Sequence, residues 1–205
     1  MTLWAIVPVK PLRRGKSRLS ALLSEEERTD LNRRMLERTL GTLSGVSEIE
    51  QVLVVSRDPH ALTIARAHGA RTLREDGQPQ LNTALRRATV VAQVYSTRGI
   101  LVVPADLPLI TAEDVRQLIR RATDPPVVVI APDRRKRGTN ALLMSPAGIM
   151  EYDFGEGSFL RHVDRAHEAG ARVEIVRLPS IELDLDLPED LELVRAQGHE
   201  AAEAA

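Results

Sequence analysis

The sequence predicts an α/β protein with a mixed but mainly parallel sheet and helices on both faces, and two patterns carry that prediction. Short runs rich in β-branched residues alternate with amphipathic stretches of helical spacing, which is typical of βαβ units. The first run, Leu3–Val9, is almost entirely apolar, as expected of a strand covered on both faces. At 205 residues, the chain fits one domain with a well-buried core.

Helix start signals organise the first half of the chain. Ser24 and Glu27 have the spacing of a capping box, which predicts a helix that ends at Gly45. A buried strand is predicted at 51–56, and a helix that begins at Asp58 follows it. The next predicted elements are a strand at 70–73, a helix at 82–95 and a strand at 100–104.

The second half departs from the simple βαβ rhythm. Thr111 and Asp114 resemble another capping box and predict a helix. Strand-like runs at 127–131 and 141–144 are joined by a segment too short for a crossover helix, so we expect strands that are antiparallel or separated by an excursion, and hence a mixed sheet. The last predicted elements are a helix at 158–169, strands at 172–178 and 183–186, and a helix begun by Pro188. Residues 1–197 are predicted to form one domain and residues 198–205 a frayed tail.

Composition excludes several classes of protein. The formal net charge is −1, whereas a nucleic-acid-binding protein is expected to have a strong basic excess. The absence of cysteine excludes disulfides, thiolate metal ligands and cysteine nucleophiles. No apolar stretch approaches the length of a membrane span, and no signal peptide pattern precedes the first strand, so we expect a cytoplasmic protein. The five histidines lack metal-ligand spacing and are expected mostly on helix surfaces.

A basic loop follows the first strand and is the first candidate site. Residues 10–18 carry five positive charges at the carboxyl end of a strand, where α/β sheets bind ligands. Gly15 allows close approach of the backbone, and the basic side chains can neutralise a triphosphate. Gly15, Lys16 and Ser17 resemble part of a P-loop, but that motif requires glycine where this chain has Lys10. The alternative is a solvated basic turn, and the strand–loop–helix context favours phosphate binding.

Two acidic stretches are candidate magnesium ligands. Asp106 comes directly after an apolar strand, and Mg²⁺ typically takes one or two carboxylates together with substrate phosphates. Asp184 and Asp186 alternate along a predicted strand, so both carboxylates would face the same side, and a bound cation would relieve their repulsion. The alternatives are a turn aspartate at 106 and an acidic edge strand in which Asp186 caps the last helix. For the Asp184 and Asp186 pair, the two interpretations are balanced.

A fourth candidate site combines residues 137–140 with the glycine-rich segment before the helix at Ser158. Backbone N–H groups near Gly155 are placed to bind an anion at that helix start. Thr139 offers a hydroxyl and Arg137 a guanidinium with bidentate geometry. The alternative is an ordinary turn beside a solvated basic cluster.

Several segments, taken together and in order, resemble one family. It is the guanylyltransferase of deazaflavin coenzyme (coenzyme F-420) biosynthesis, which acts on 2-phospho-L-lactate in archaea and on phosphoenolpyruvate in many bacteria. The resemblance covers nearly the whole chain. The segments are 8–10, 15–19, 81–85, 105–108, 138–142, 154–158 and 184–191. One departure is Gln80, where the family usually has glycine before Leu-Asn.

The resemblance implies a Rossmann-like nucleotidyltransferase fold of the nucleotide-diphospho-sugar transferase type. It implies GTP and a phosphorylated three-carbon acid as substrates, release of pyrophosphate, Mg²⁺ as cofactor and a homodimer as a plausible assembly. The implied catalytic residues are Lys16 and Asp106, and the implied metal ligands are Asp106, Asp184 and Asp186. The implied nucleotide-binding residues are Pro8, Lys10, Gly15, Lys16, Arg18 and Asn82. The implied acceptor-binding residues are Thr139, Gly155 and Ser158.

Three alternatives stay open at this point. The sequence does not choose between phosphoenolpyruvate and 2-phospho-L-lactate. The enzyme could also transfer a different nucleotide, or use a different acceptor molecule, such as 3-phosphoglycerate. From a different class, the protein could be a catalytically silent nucleotide-binding regulator, although the separated acidic positions favour an enzyme.

Overall fold

One mixed sheet forms the centre of the protein. The computed structural model describes residues 2–203, and side chains for residues 2–196 of these. The strands described are β1 (Leu3–Val9), β2 (Ile49–Ser56), β3 (Arg71–Arg74), β4 (Gly99–Val102), β5 (Val127–Pro132), β6 (Thr139–Ser145) and β7 (Arg172–Ile175). Their order in the sheet is β3-β2-β1-β4-β6-β5-β7.

Parallel pairing dominates this sheet, as predicted. Strand β1 pairs in parallel with both β2 and β4, and β5 pairs in parallel with β7. Strand β6 runs antiparallel to its neighbours β4 and β5, which confirms the antiparallel arrangement expected from the short 133–138 connection. Because β6 is reversed, its first residue, Thr139, lies at the edge of the sheet where β1 and β4 have their carboxyl ends.

Helices cover both faces of the sheet. They are α1 (Glu25–Ser44), α2 (Pro59–Ala67), α3 (Leu81–Val94), α4 (Ala112–Arg121), α5 (Ser158–Glu168), α6 (Pro179–Glu182) and α7 (Pro188–Glu203), with a short 3-10 helix at Ser17–Leu19. Leu36 of α1, Leu62 of α2 and Leu118 of α4 belong to one buried core, together with Ile181 of α6. Leu85 of α3 and Phe159 of α5 belong to a second core on the other face. No helix in the described chain is long and apolar enough to cross a membrane.

The helix start signals are confirmed. The Ser24 hydroxyl accepts a hydrogen bond from the Glu27 N–H at 3.2 Å, and the Glu27 carboxylate accepts one from the Ser24 N–H at 2.7 Å. Thr111 and Asp114 form the same reciprocal pair at the start of α4. Each box satisfies N–H groups that would otherwise lack a partner at the helix start.

The segment before α7 differs from the prediction of a strand. Residues 183–186 are not in the sheet, and the four-residue helix α6 precedes them. Pro179 begins α6, since proline has a φ suited to the first helical turn and no N–H to lose there. The backbone of α7 continues through Glu203, past the Gly198 position where the frayed tail was predicted to begin. Residues 204–205 of that tail lie outside the described residues.

Candidate functional site

A cavity of about 390 Å³ opens at the carboxyl ends of β1, β2 and β4. One wall is the loop that follows β1, and the opposite wall is formed by Glu75 and by 79–81 at the start of α3. Six residues predicted to bind nucleotide or metal line it: Pro8, Lys10, Gly15, Lys16, Asp106 and Asp186. This is the edge of an α/β sheet at which ligands typically bind.

Two distant side chains hold the loop after β1 in shape. The Asp58 carboxylate accepts a hydrogen bond from the Leu12 N–H at 2.8 Å, and the Asn32 side-chain amide donates to the Leu12 carbonyl at 2.7 Å. A Cβ atom at Gly15 would lie 2.5 Å from the Asn32 amide nitrogen. A larger residue at 15 would therefore displace the Asn32 side chain, which together with Asp58 holds the Leu12 backbone.

Lys16 lies between two carboxylates. Its Nζ is 3.2 Å from Asp106 Oδ2 and 3.6 Å from Asp186 Oδ1, and its side chain is 6% exposed. Arg18, which is mostly exposed, approaches the other oxygen of Asp186 at 2.9 Å. The Lys16 side chain is buried, but the Asp106 and Asp186 side chains are 34% and 40% exposed, so water screens part of the attraction in both pairs.

Backbone contacts bring the two acidic stretches together. The Leu185 N–H donates to the Asp106 carbonyl at 3.0 Å. The buried Asp190 carboxylate accepts hydrogen bonds from the N–H groups of Asp186 at 3.1 Å and Leu187 at 2.7 Å. Asp190, rather than Asp186, therefore satisfies the backbone at the start of α7, and the Asp186 carboxylate faces Lys16 and the cavity.

Asp184 adds a third negative charge nearby. Burial raises the pKa of Asp184, and the carboxylates of Asp106 and Asp186 raise it further. The Asn140 amide, which donates to Asp184 Oδ1 at 3.4 Å, opposes this shift. The three acidic groups thus repel one another at the sheet edge. A positive charge placed beside them would favour the ionised form of Asp184.

The chemistry of the acidic groups can be compared with what a divalent cation requires. Among the side chains that the structure describes, no group of three or more histidines, aspartates or glutamates could hold a metal ion by itself. Mg²⁺ commonly takes one or two carboxylates and completes its shell with water and phosphate oxygens. The Lys16 ammonium group already occupies the space between Asp106 and Asp186, so this position accommodates a positive charge.

The predicted acceptor residues lie around the start of α5. Gly155 has φ of 141° and Gly157 has φ of 72°, conformations that side-chain-bearing residues rarely adopt. The Ser158 N–H donates to the Gly155 carbonyl at 3.1 Å, and Ser158 is buried. The Thr139 hydroxyl lies 2.9 Å from Nδ1 of His162, in the second turn of α5. Thr139, Gly155 and Ser158 are thus brought to one region through α5.

Asn82 lies at the junction of the two regions. Its amide oxygen accepts from the Phe154 N–H at 2.8 Å, and its amide nitrogen donates to the Phe154 carbonyl at 3.2 Å. The predicted nucleotide-binding amide therefore ties the start of α3 to the segment that leads to Gly155. Gln80, which replaces the family glycine, has φ of −139°, so the backbone at this position does not require glycine.

Several residues at this edge were not predicted from the sequence. They are Asn32, Asp58, Asp190, His162, and the pair Arg57 and Glu75, whose side chains line the cavity 3.6 Å apart. Asp58 was expected only as a helix cap, a role that it also has through its other oxygen. Of the four histidines whose side chains the structure describes, His60, His68 and His167 are exposed, as expected, and His162 is completely buried.

The fold and the site define the protein as a nucleotidyltransferase. The chain belongs to the family described as "Guanylyl transferase CofC like", whose model matches residues 3–203. A phosphoenolpyruvate guanylyltransferase from Rubrobacter xylanophilus is 43% identical over 198 residues, which cover 97% of this chain and 96% of that protein. A 2-phospho-L-lactate guanylyltransferase from Methanothermobacter thermautotrophicus is 36% identical over a region that covers 91% of this chain and 81% of that protein.

Solved structures show the same fold at low sequence identity. A putative nucleotide-diphospho-sugar transferase from Desulfovibrio desulfuricans superposes with a TM-score of 0.76 at 14% identity, covering 95% of this chain and 87% of that one. Glucosyl-3-phosphoglycerate synthase from Mycobacterium tuberculosis superposes with a TM-score of 0.63 at 13% identity, covering 86% of this chain and 68% of that one. It was solved with Mn²⁺, uridine diphosphate and phosphoglyceric acid. The predicted fold and family are confirmed.

Replacing Gly15 with alanine tests the packing of the loop. Because the new Cβ would displace the Asn32 amide from Leu12, we expect Gly15→Ala to lower the free energy of unfolding by about 1 kcal/mol. Gly41→Ala is the matched control, since a Cβ there meets nothing within 4 Å and alanine favours a helix, and it should stabilise by about 0.5–1 kcal/mol. Urea unfolding of both variants measures the difference. Equal stabilities would contradict the role of the Asn32 contact.

Replacing Asp190 with alanine tests whether its carboxylate holds the Asp184–Asp186 segment in place. Its carboxylate also binds Arg134 at 2.8 Å, so Asp190→Ala removes three charge-assisted hydrogen bonds and should cost about 3 kcal/mol in unfolding free energy. The adjacent, exposed Glu189→Ala should change it by less than about 0.5 kcal/mol. Thermal and urea unfolding compare the two. A similar, small effect for both would show that Asp190 does not fix this segment.

Proposed function

We propose that this protein transfers the guanylyl group of GTP to phosphoenolpyruvate and releases pyrophosphate, as a step in coenzyme F-420 biosynthesis. The observation that carries the proposal is the buried Lys16 ammonium group between Asp106 and Asp186 at the mouth of the cavity. Phosphoenolpyruvate is preferred as acceptor because the relative at 43% identity has that name. 2-Phospho-L-lactate is the second candidate, from the relative at 36% identity.

The transfer step needs no strong base. A phosphate oxygen of the acceptor attacks the α-phosphorus of GTP, and the bond from that phosphorus to the α–β bridging oxygen breaks. The electron pair of that bond leaves with pyrophosphate. Because the attacking phosphate is already an anion at neutral pH, the main obstacle is the approach of two polyanions.

Positive charge around the cavity would offset that repulsion. Lys10 and Lys16 line the cavity, and Arg18 contacts Asp186 at its margin. We assign these three side chains to the triphosphate, with Pro8 and Gly15 supplying a backbone surface close to it. Preorganised charges of this kind stabilise a developing negative charge without reorganising during the reaction.

Asp106 with Asp186, and Asp184 beside them, would hold a divalent cation, which we propose to be Mg²⁺. The neighbour solved with Mn²⁺ and uridine diphosphate supports a metal on this fold. When bound, the ion would supply positive charge to the phosphate oxygens of the substrate. The protein's own contribution is to keep the carboxylates of Asp106 and Asp186 at one point of the cavity through the Leu185 backbone contact.

The acceptor would bind beside α5. The Thr139 hydroxyl and the glycine-bearing turn at Gly155 to Ser158 offer hydrogen-bond donors for its phosphate and carboxylate. Asn82 would serve both substrates by holding Phe154, since α3 borders the cavity and Phe154 leads to the acceptor turn. The homodimer and the cytoplasmic location expected from the sequence stay predictions.

A pyrophosphate-release panel tests the function. Purified protein with a divalent metal is given GTP, ATP or CTP, each with phosphoenolpyruvate, 2-phospho-L-lactate or 3-phosphoglycerate. We expect the fastest release with GTP and phosphoenolpyruvate. Faster release with 2-phospho-L-lactate or 3-phosphoglycerate would change the acceptor. Nucleotide binding without release in any combination would favour the silent regulator.

Asp106 tests the proposed metal position. Asp106→Asn keeps the shape of the side chain and removes its charge, so we expect pyrophosphate release to fall by about 100-fold or more at normal magnesium, with partial recovery at high magnesium. Asp164→Asn, an exposed aspartate on α5, is the control and should keep normal rates. Steady-state rates across a magnesium titration give the comparison. Normal activity of Asp106→Asn would remove Asp106 from the metal site.

A further inference from the structure

His162 is a buried polar group that the transfer step described above does not use. It lies in α5 with no solvent exposure, between the first residue of β6 and the segment before Gly155. The Phe154 ring meets the imidazole edge-on, with 4.8 Å between ring centroids. Both ring nitrogens have hydrogen-bond partners, and those partners determine where the ring proton lies.

The backbone of Asp153 fixes the tautomer of His162. The Asp153 N–H lies 3.1 Å from Nε2 of the ring, and a backbone N–H can only donate. Nε2 is therefore an acceptor without a proton, and a neutral imidazole must then carry its proton on Nδ1. Nδ1 lies 2.9 Å from the Thr139 hydroxyl oxygen, so His162 donates to Thr139.

The surroundings keep the ring neutral. Burial lowers the pKa of His162 to about 4, so the imidazole has no charge near neutral pH. The Asp153 carboxylate would favour a protonated ring, but Arg161 and Arg165 bind that carboxylate at 3.1 Å and 2.7 Å. Their positive charges oppose a further proton on His162. The direction of both hydrogen bonds is thus the same throughout the neutral range.

We propose that His162 is a positioning residue for the acceptor: by donating to the Thr139 oxygen, it turns the Thr139 hydroxyl proton towards the acceptor's anionic phosphate or carboxylate. A hydroxyl has one proton to donate, and its oxygen can accept from a second group at the same time. With the oxygen engaged by Nδ1–H, the proton is free for the ligand. The inference rests on the proposed function, in which Thr139 binds the acceptor.

Two substitutions separate the two hydrogen bonds of His162. The asparagine amide nitrogen can take the place of Nδ1, so His162→Asn retains a donor for Thr139. The glutamine amide extends to the place of Nε2, so His162→Gln retains an acceptor for the Asp153 N–H and loses the donor. We expect His162→Gln to raise the acceptor KM about tenfold, the loss of one hydrogen bond to a charged ligand. His162→Asn should stay within about threefold of wild type, and neither should change the KM for GTP.

A double-mutant cycle distinguishes positioning from a general effect on folding. Thr139→Val removes the hydroxyl, so adding His162→Gln to Thr139→Val should raise the acceptor KM no further. His167→Gln, an exposed histidine on the same helix, is the control for the substitution itself. Additive effects in the cycle, or an equal rise in the KM for GTP, would overturn the positioning role. Thermal unfolding of each variant identifies losses that come from stability.

The tautomer is tested independently of activity. Nitrogen–proton NMR spectra of the free protein, labelled at histidine, report which ring nitrogen carries the proton. We expect a protonated Nδ1 and an unprotonated Nε2 for His162, with His162→Asn as the assignment control. A proton on Nε2 would overturn the inference even in an active enzyme. Wild-type protein that releases no pyrophosphate with any acceptor would contradict the proposed function, while the tautomer would still be measured.

Discussion

The balance of charge around Lys16 is the interaction on which the site depends. Asp106, Asp184 and Asp186 are brought together at one edge of the sheet, and the pKa of Asp184 is raised by burial and by the other two carboxylates. Like charges in a partly dry environment repel strongly, and Lys16 offsets part of that repulsion from a position between two of them. The negative charge that Lys16 leaves unbalanced is what the proposed divalent cation would offset.

Sheet topology explains why these groups meet although they are distant in the sequence. From β1 the chain builds β2 and β3 to one side, and then crosses to place β4 on the other side. Adjacent loops at such a switch point diverge and leave a crevice at the carboxyl ends of the strands. Lys16 follows β1 and Asp106 follows β4, so their side chains meet at this edge of the sheet, 3.2 Å apart. Asp186 joins them from near the end of the chain through the Leu185 backbone contact.

Local signals made much of the fold predictable from sequence. Both capping boxes, the apolar run of β1 and the short connection before β6 depend on neighbouring residues, and each was predicted correctly. The Asp184–Asp186 segment was predicted to be a strand because alternation alone does not show whether a partner strand is present. The segment is held locally by the Asp190 carboxylate, three to four residues downstream, and across the fold by the Leu185 N–H, which donates to the Asp106 carbonyl. The second contact is tertiary, and a local pattern does not report it.

The residues of the candidate site also fall into two groups: those that local sequence patterns predict and those that only the folded structure brings together. Lys16, Asp106 and the Asp184–Asp186 pair were proposed from residue type beside predicted strands. In the sequence, Asn32 and His162 are ordinary helix residues and Asp58 is an ordinary helix cap. Their roles come from contacts with Leu12 and Thr139 across the fold. These supporting residues act by fixing geometry rather than by chemistry, so no motif marks them.

Fixed geometry is also what a reaction between two anions most requires. Correct orientation of two bound reactants can supply on the order of 7–11 kcal/mol of the rate acceleration. In this protein, side chains hold the backbone around the proposed substrate regions through hydrogen bonds. Asn32 and Asp58 bind the Leu12 backbone, Asn82 binds that of Phe154, and Asp190 binds that of Asp186. Since each of these side chains belongs to or begins a helix, the helices set the positions of both proposed substrate regions. The proposed nucleotide and acceptor regions are therefore preorganised relative to each other by the fold itself.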